Sequence, residues 1–331
     1  MRIGVIGAGT WGMALSRMLY NTGSAVTVWS ALPEEIDQLS RERVQKNLPG
    51  MRIPEGVEFT KSIEEVCAGR DILLFAVPSV FVRRTARAAA PYVRKGQIIV
   101  DVAKGLEPGT LMTMSEVIRD EISAGGVRVV ALSGPTHAEE VAQDLPTTIV
   151  SACEDHDAAK CVQGVFMNTC MRVYTNTDVK GVELCGALKN IIALAAGISE
   201  GIGYGDNAKA ALITRGLAEI ERLGVKMGCQ RRTFSGLAGM GDLIVTATSR
   251  HSRNNRCGLL IGQGVPPQEA IRQVGMVVEG VNAIPAAITL AEKYGVEMPI
   301  VQAVDAVVNR GADPKREVYN LMTRDPKTEL H

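Results

Sequence analysis

Residues 1–12 read MRIGVIGAGTWG. Arg2 to Ile6 have the apolar, β-branched character of a strand, and Gly7, Gly9 and Gly12 follow as G-x-G-x-x-G before a helix running to Tyr20. Each glycine answers a steric demand. Gly7 permits a tight turn, Gly9 lets backbone approach a pyrophosphate, and Gly12 lets the helix lie close on its strand. The helix N-terminus near Thr10 and Trp11 then presents amide N–H groups to an anion. The head of the chain thus reads as the first strand, turn and helix of a dinucleotide-binding sheet.

Strand-then-helix units continue outward from this start. Ala25 to Trp29 is a second strand; Asp71 to Val77 leads into a helix over Ser79 to Ala90; Gln97 to Val102 precedes KGLEPGT; Val127 to Leu132 runs into SGPTHAEEVA. Thr147 to Ala152 and Met171 to Tyr174 are later strands flanking a helix from Asp155 to Phe166. Such alternation implies a parallel sheet with helices on both faces. After Asp178 long helical patterns replace strands. The fold class expected is therefore α/β: an N-terminal Rossmann-type, doubly wound, mainly parallel sheet over residues 1–178 that binds the dinucleotide, then an all-α C-terminal domain over 179–331 that binds substrate.

Whole-chain properties exclude several functions. The chain of 331 residues exceeds one ordinary domain, and 36 basic against 36 acidic residues leave no net field for nucleic acid or a membrane surface. A small-molecule partner is expected. Cys67, Cys153, Cys161, Cys170, Cys185, Cys229 and Cys257 are scattered, with no C-x-x-C and no clustered histidine, which argues against zinc and against a disulfide framework. No metal is called for, and a reducing cytoplasm fits. No apolar run is read as approaching the ~18 residues of a membrane span, and the N-terminus is too short and glycine-rich for a signal peptide. Oligomeric state stays open, with a homodimer compatible.

Two stretches carry chemistry. In GVELCGALKNIIALAAGISEG, Lys189 has Cys185, Gly186, Ile192 and Ala193 as its helical neighbours, so its own helix supplies no carboxylate to neutralise it. Flanking glycines and alanines permit close packing, and burying an ammonium weakens its hold on the proton, which suits proton transfer. The second stretch is GLAGMGDLIVTATSRHSRN, where glycines surround the single carboxylate Asp242 and a run of donors, Thr246, Thr248, Ser249, Ser252, Arg253 and Asn254, suits a phosphate. None of His137, His156, His251 and His331 stands in a recognisable catalytic pairing.

Taken in order, GAGTWGMALS, FAVPS, AKGLE, LSGPTHAEEVA, GALKNIIALAAGI, AGMGDLIVT, SRN and VVEGVNA resemble the motifs of the NAD(P)-dependent glycerol-3-phosphate dehydrogenases, from Met1 to about Ile300. The resemblance implies that dihydroxyacetone phosphate is reduced to sn-glycerol 3-phosphate by hydride from NADH or NADPH, for glycerophospholipid synthesis in the cytoplasm. It makes Lys189 the proton carrier, with Lys104, Asn190 and Asp242 in the same catalytic cluster. It places Lys104, Gly134, Thr136, Lys189, Asp242, Ser252, Arg253 and Asn254 on the substrate. Beside Gly7, Gly9 and Gly12, it places Thr10, Trp11, Lys104, Ala138, Arg253, Val277 and Glu279 on the dinucleotide.

Two positions depart from the family pattern. Where the family has Trp-x-Arg after the second strand, Trp29 is followed by Ser30 and Ala31, and Asn47 stands where a tyrosine precedes LPG. With neither an acid for the ribose hydroxyls nor an arginine for a 2′-phosphate in that place, both cofactors are expected to serve, with less than about tenfold discrimination. Ala31→Arg would favour NADPH. Two rival readings are a hydroxy-acid reductase of the same plan, which needs no Ser252-Arg253-Asn254 clamp, and a dinucleotide sensor without turnover, which needs no lysine like Lys189.

Overall fold

The computed structural model describes residues 1–326, 328 and 329, so that His331 lies outside the described residues. The chain forms two compact units. The first comprises Met1–Gly186 and Arg232–Asp242; the second comprises Ala187–Arg231 and the described residues from Leu243 onward.

In the first unit, β1 (Arg2–Ile6), α1 (Thr10–Asn21), β2 (Ala25–Trp29), α2 (Pro33–Glu42), β3 (Glu58–Thr60), α3 (Ile63–Cys67), β4 (Ile72–Phe75), α4 (Val82–Ala89) and β5 (Ile98–Asp101) build one half of the sheet. α5 (Met114–Glu121), β6 (Arg128–Ser133), α6 (Ala138–Val141), β7 (Thr147–Ala152), α7 (His156–Phe166) and β8 (Met171–Asn176) build the rest. The sheet of eight strands has the order β3-β2-β1-β4-β5-β6-β7-β8. All neighbours are parallel except β6 and β7, which run antiparallel. This is the doubly wound Rossmann-type arrangement, and strand order reverses between β1 and β4, where such sheets receive ligands.

Side-chain alternation explains why both faces are covered. Ile3 and Val5 of β1, Ile72 and Leu74 of β4, and Ile98 and Val100 of β5 pack into one cluster with Met13, Leu15 and Leu19 of α1. Ile6, Leu73, Phe75 and Ile99 point the other way, to Val82 and Ala86 of α4 and Val117 and Ile118 of α5.

The remaining elements are helices. α8 (Val179–Ile202) is followed by α9 (Asp206–Lys226), α10 (Arg231–Phe234), a π-helical turn over Leu237–Gly241, α11 (Asp242–Thr248) and α12 (Arg253–Gly262). α13 (Pro267–Val274), α14 (Glu279–Tyr294), α15 (Pro299–Arg310) and α16 (Pro314–Met322) complete the described chain. α8 and α12 cross so closely that a Cβ on Gly258 would lie 2.1 Å from the Leu194 carbonyl oxygen. α8 is also long and apolar enough to cross a membrane, contrary to the sequence expectation, but its apolar window is wholly buried within the protein. It is a core helix.

Helical character begins at Val179, beside the boundary expected at Asp178, yet the units part inside α8 between Gly186 and Ala187. Hydrogen bonds to Asp178, one local and one long-range, are the reason. Asp178 accepts from the Gly181 amide (3.0 Å) and from the Thr233 hydroxyl (2.6 Å), tying the start of α8 and the 232–242 segment to the sheet unit.

Candidate active site

In the first unit, the glycine turn is built as its sterics demand. Gly7 adopts φ +119°, and its amide donates to the Trp29 carbonyl at 2.8 Å, locking the turn to the end of β2. A Cβ on Gly12 would fall 2.1 Å from the Gly7 carbonyl oxygen, whereas the place of a Cβ on Gly9 is open space. α1 begins directly after Gly9, at Thr10 and Trp11, and its first turn holds no acidic residue. The Gln45 amide donates to the Ala8 carbonyl (3.2 Å) and that of Asn47 to the Thr10 hydroxyl (3.4 Å), so residues 45–47 border the turn. Open space over Gly9 and an uncrowded helix N-terminus fit a dinucleotide pyrophosphate.

A polar cluster of the same unit gathers predicted residues from distant segments. Lys104, on the loop after β5, donates from Nζ to Asp242 Oδ2 (2.6 Å) and to the Gly134 carbonyl (3.0 Å). The Thr136 hydroxyl donates to that same carbonyl at 3.1 Å. Asp242 is 1% exposed, positioned by the π-helical turn that precedes it. Ala138 opens α6 and packs into the core cluster that also holds α1 residues.

In the second unit, Lys189 is 4% exposed on α8 and donates to the Thr246 hydroxyl of α11 at 2.5 Å. The neighbouring Asn190 accepts through Oδ1 from Asn254 Nδ2 (2.9 Å), and Asn254 Oδ1 accepts from the Gly280 amide (2.9 Å). Ser252 is the N-cap of α12, its hydroxyl accepting from the Asn255 amide at 3.2 Å. Arg253 opens that helix, exposed, and donates to the Val277 carbonyl at 3.2 Å, while Glu279 opens α14 two residues later. Lys189 with Thr246, and Asn190 with Asn254, are thus two buried polar pairs built on successive residues of α8, while Arg253, Val277 and Glu279 stand at or beside the starts of α12 and α14.

Comparison with known proteins agrees in every part of the chain. Residues 2–159 match the family described as NAD-dependent glycerol-3-phosphate dehydrogenase N-terminus, and residues 178–319 match its C-terminus. The chain belongs to the NAD-dependent glycerol-3-phosphate dehydrogenase family. It is 68% identical to glycerol-3-phosphate dehydrogenase [NAD(P)+] 2 of Lactobacillus delbrueckii subsp. bulgaricus, across 99% of each chain. It is 53% identical to the glycerol-3-phosphate dehydrogenase [NAD(P)+] of Agathobacter rectalis, across 99% of this chain and 97% of that one. The crystal structure of the Coxiella burnetii glycerol-3-phosphate dehydrogenase superposes with a TM-score of 0.93 at 37% identity, across 98% of this chain and 99% of that one.

Against this family background, some site features escape sequence reading. Thr246 reads as a phosphate donor in the sequence but receives the Lys189 hydrogen bond in the structure. Two buried carboxyls also go unread. Glu183 of α8 accepts from the Ser115 amide (2.7 Å) and hydroxyl (2.5 Å) at the start of α5. Asp101 ends β5 near it, accepting from the Ala103 amide at 3.1 Å while its buried Oδ2 has no hydrogen-bond partner among the described residues. Burial, reinforced by the Glu183 charge, pushes the Asp101 carboxyl well above the usual carboxylate range. Burial likewise raises Glu183, opposed by its bonds to Ser115. The signal for Glu183 was present: it is a carboxyl set among apolar residues of α8, whose other acid, Glu200, lies in the last turn, and the same pattern singles out Lys189.

Proposed function

We propose that this chain reduces dihydroxyacetone phosphate to sn-glycerol 3-phosphate in the cytoplasm. The single observation that carries the chemistry is Lys189, an ammonium buried on α8 with its Nζ held by Thr246. The nicotinamide of NADH or NADPH, when bound, supplies the hydride to the ketone carbon.

Lys189 Nζ gives a proton to the oxygen that becomes an alkoxide as that carbon is reduced. In the reverse direction the neutral amine takes the proton from the same hydroxyl. Lys104 Nζ and Asn190 stabilise charge on that oxygen, and Asp242, bonded to Lys104, belongs to the same catalytic set. Gly134, Thr136, Ser252, Arg253 and Asn254 bind the substrate, with Arg253 presenting two N–H groups to the phosphate. The α12 N-terminus, where Ser252 caps the Asn255 amide, adds its remaining backbone amides. Gly7, Gly9, Thr10, Trp11 and Gly12 seat the pyrophosphate, and Lys104, Ala138, Arg253, Val277 and Glu279 complete the dinucleotide contacts. The seven cysteines are all free thiols, which supports a reducing compartment.

Oxidation of NADH and NADPH by the full chain, with dihydroxyacetone phosphate and with unphosphorylated dihydroxyacetone, tests the reading. Turnover with the phosphorylated ketone and little with the other is expected. Equal turnover, or turnover only with a hydroxy acid's keto form, would displace it. Sedimentation of the same preparation distinguishes a homodimer from a monomer.

A further inference from the structure

We propose that Glu35 is a specificity-determining residue of the cofactor site, accepting from the ribose 2′-hydroxyl of NADH and repelling the 2′-phosphate of NADPH. The proposal deepens the reading of the glycine turn as the nucleotide seat and rests on it. In sheets of this kind, an acid about 20 residues beyond the glycines stands at the end of the second strand and reads the ribose. The sequence has serine and alanine in that place, at Ser30 and Ala31.

Tertiary structure supplies the acid from elsewhere. Ser30 directly follows Trp29, whose carbonyl holds the Gly7 amide at 2.8 Å, so it sits at the edge of the turn itself. Its hydroxyl donates to Glu35 Oε2 at 2.6 Å and accepts from the Leu32 amide at 3.2 Å. That bond holds the Glu35 carboxylate, in the first turn of α2, against the end of β2. Oε2 is engaged by Ser30, while Oε1 has no hydrogen-bond partner among the described residues and is available as an acceptor.

Two cations of this region are engaged elsewhere. Lys61 is paired with Asp37 at 2.6 Å, and its carbonyl accepts from the Trp29 indole. Arg43 lies over the Phe59 ring and donates to the Val57 carbonyl at 2.6 Å. A 2′-phosphate with its roughly two negative charges would meet the Glu35 carboxylate in this place, whereas a hydroxyl would donate to it. The near-parity of cofactors expected from the sequence alone is therefore revised to a preference for NADH.

Titration of the full chain with NADH and with NADPH, followed by nicotinamide fluorescence without substrate, tests this. Wild type should bind NADH more tightly. Glu35→Gln keeps an acceptor for Ser30 and removes the charge, and should raise NADPH affinity at least fivefold more than NADH affinity. Glu35→Lys, a second variant at the same half-buried position, should raise it further. A selective gain below fivefold in Glu35→Gln, or equal changes for both dinucleotides in either variant, overturns the proposal. Because the readout is binding, failure to reduce dihydroxyacetone phosphate would sink the proposed reaction and leave this result standing. Binding of neither dinucleotide by wild type would overturn both.

Discussion

Lys104 and Lys189 are held by different means. Lys104 stands on a loop, and what fixes it is an ion pair with Asp242, 138 residues away, together with the Gly134 carbonyl. Lys189 grows from the middle of a core helix, and its backbone is fixed by packing before any polar contact is counted. The loop lysine depends on its partner for position. The helix lysine takes its position from α8 and needs from Thr246 only the direction of its tip. A group that must gain and lose a proton is better served by the second arrangement, because its place does not depend on its charge.

The largest expected effect breaks the helix side of this comparison. Lys189→Met should lower kcat by about two to four orders of magnitude, the usual worth of a positioned acid or base, while NADH affinity and melting temperature change little. Near-normal turnover would show that the proton comes from elsewhere.

The loop side should respond in stability as well as in rate. Lys104→Ala removes the ion-pair partner from the Asp242 carboxylate, which is 1% exposed, and should cost about 3 kcal/mol in urea unfolding. Combining Lys104→Met with Asp242→Leu should recover most of that stability and none of the activity. Recovery of activity by the double variant would mean that the pair is structural only.

A buried acid of the second unit sharpens the same contrast between groups held by charge and groups held by packing. Glu219 of α9 accepts from the Ile300 and Val301 amides at the start of α15 (2.9 and 3.4 Å), and burial pushes its carboxyl up to about 7. Its folded form holds the proton more tightly than the unfolded chain does. Stability from this group is therefore present in acid and lost as pH rises through about 7. Glu219→Gln keeps an acceptor without the charge, so its advantage in unfolding free energy over wild type should grow by about 2 kcal/mol between pH 5 and pH 8. A gap that does not change with pH would refute the assignment.

The smallest effect concerns a cation held by neither device. Arg253 is exposed, with one N–H on the Val277 carbonyl. Arg253→Lys keeps the charge and loses the fork, and should lower kcat/KM for dihydroxyacetone phosphate about tenfold. Turnover of unphosphorylated dihydroxyacetone should be spared. Equal losses for the two ketones would show that Arg253 does not read phosphate, and nucleotide affinity measured alongside separates its contact with the cofactor.

What the sequence by itself determined is what short-range sterics and periodicity control. The glycine turn between β1 and α1, the parallel alternation that follows, and the burial of Lys189 in an apolar helix are each written within a dozen or two residues. The three-residue β3 is too short for a period to register, and the antiparallel pairing of β6 with β7 depends on where a distant strand arrives. Only the tertiary structure brought Asp242 to Lys104 and Glu183 to Ser115, because those partners are separated by 138 and 68 residues. Glu35 is the instructive case, since only five residues separate it from Ser30. Its meaning still required the fold: a carboxylate in the first turn of a helix reads as ordinary helix chemistry until Ser30 aims it back at the end of β2, beside the glycine turn.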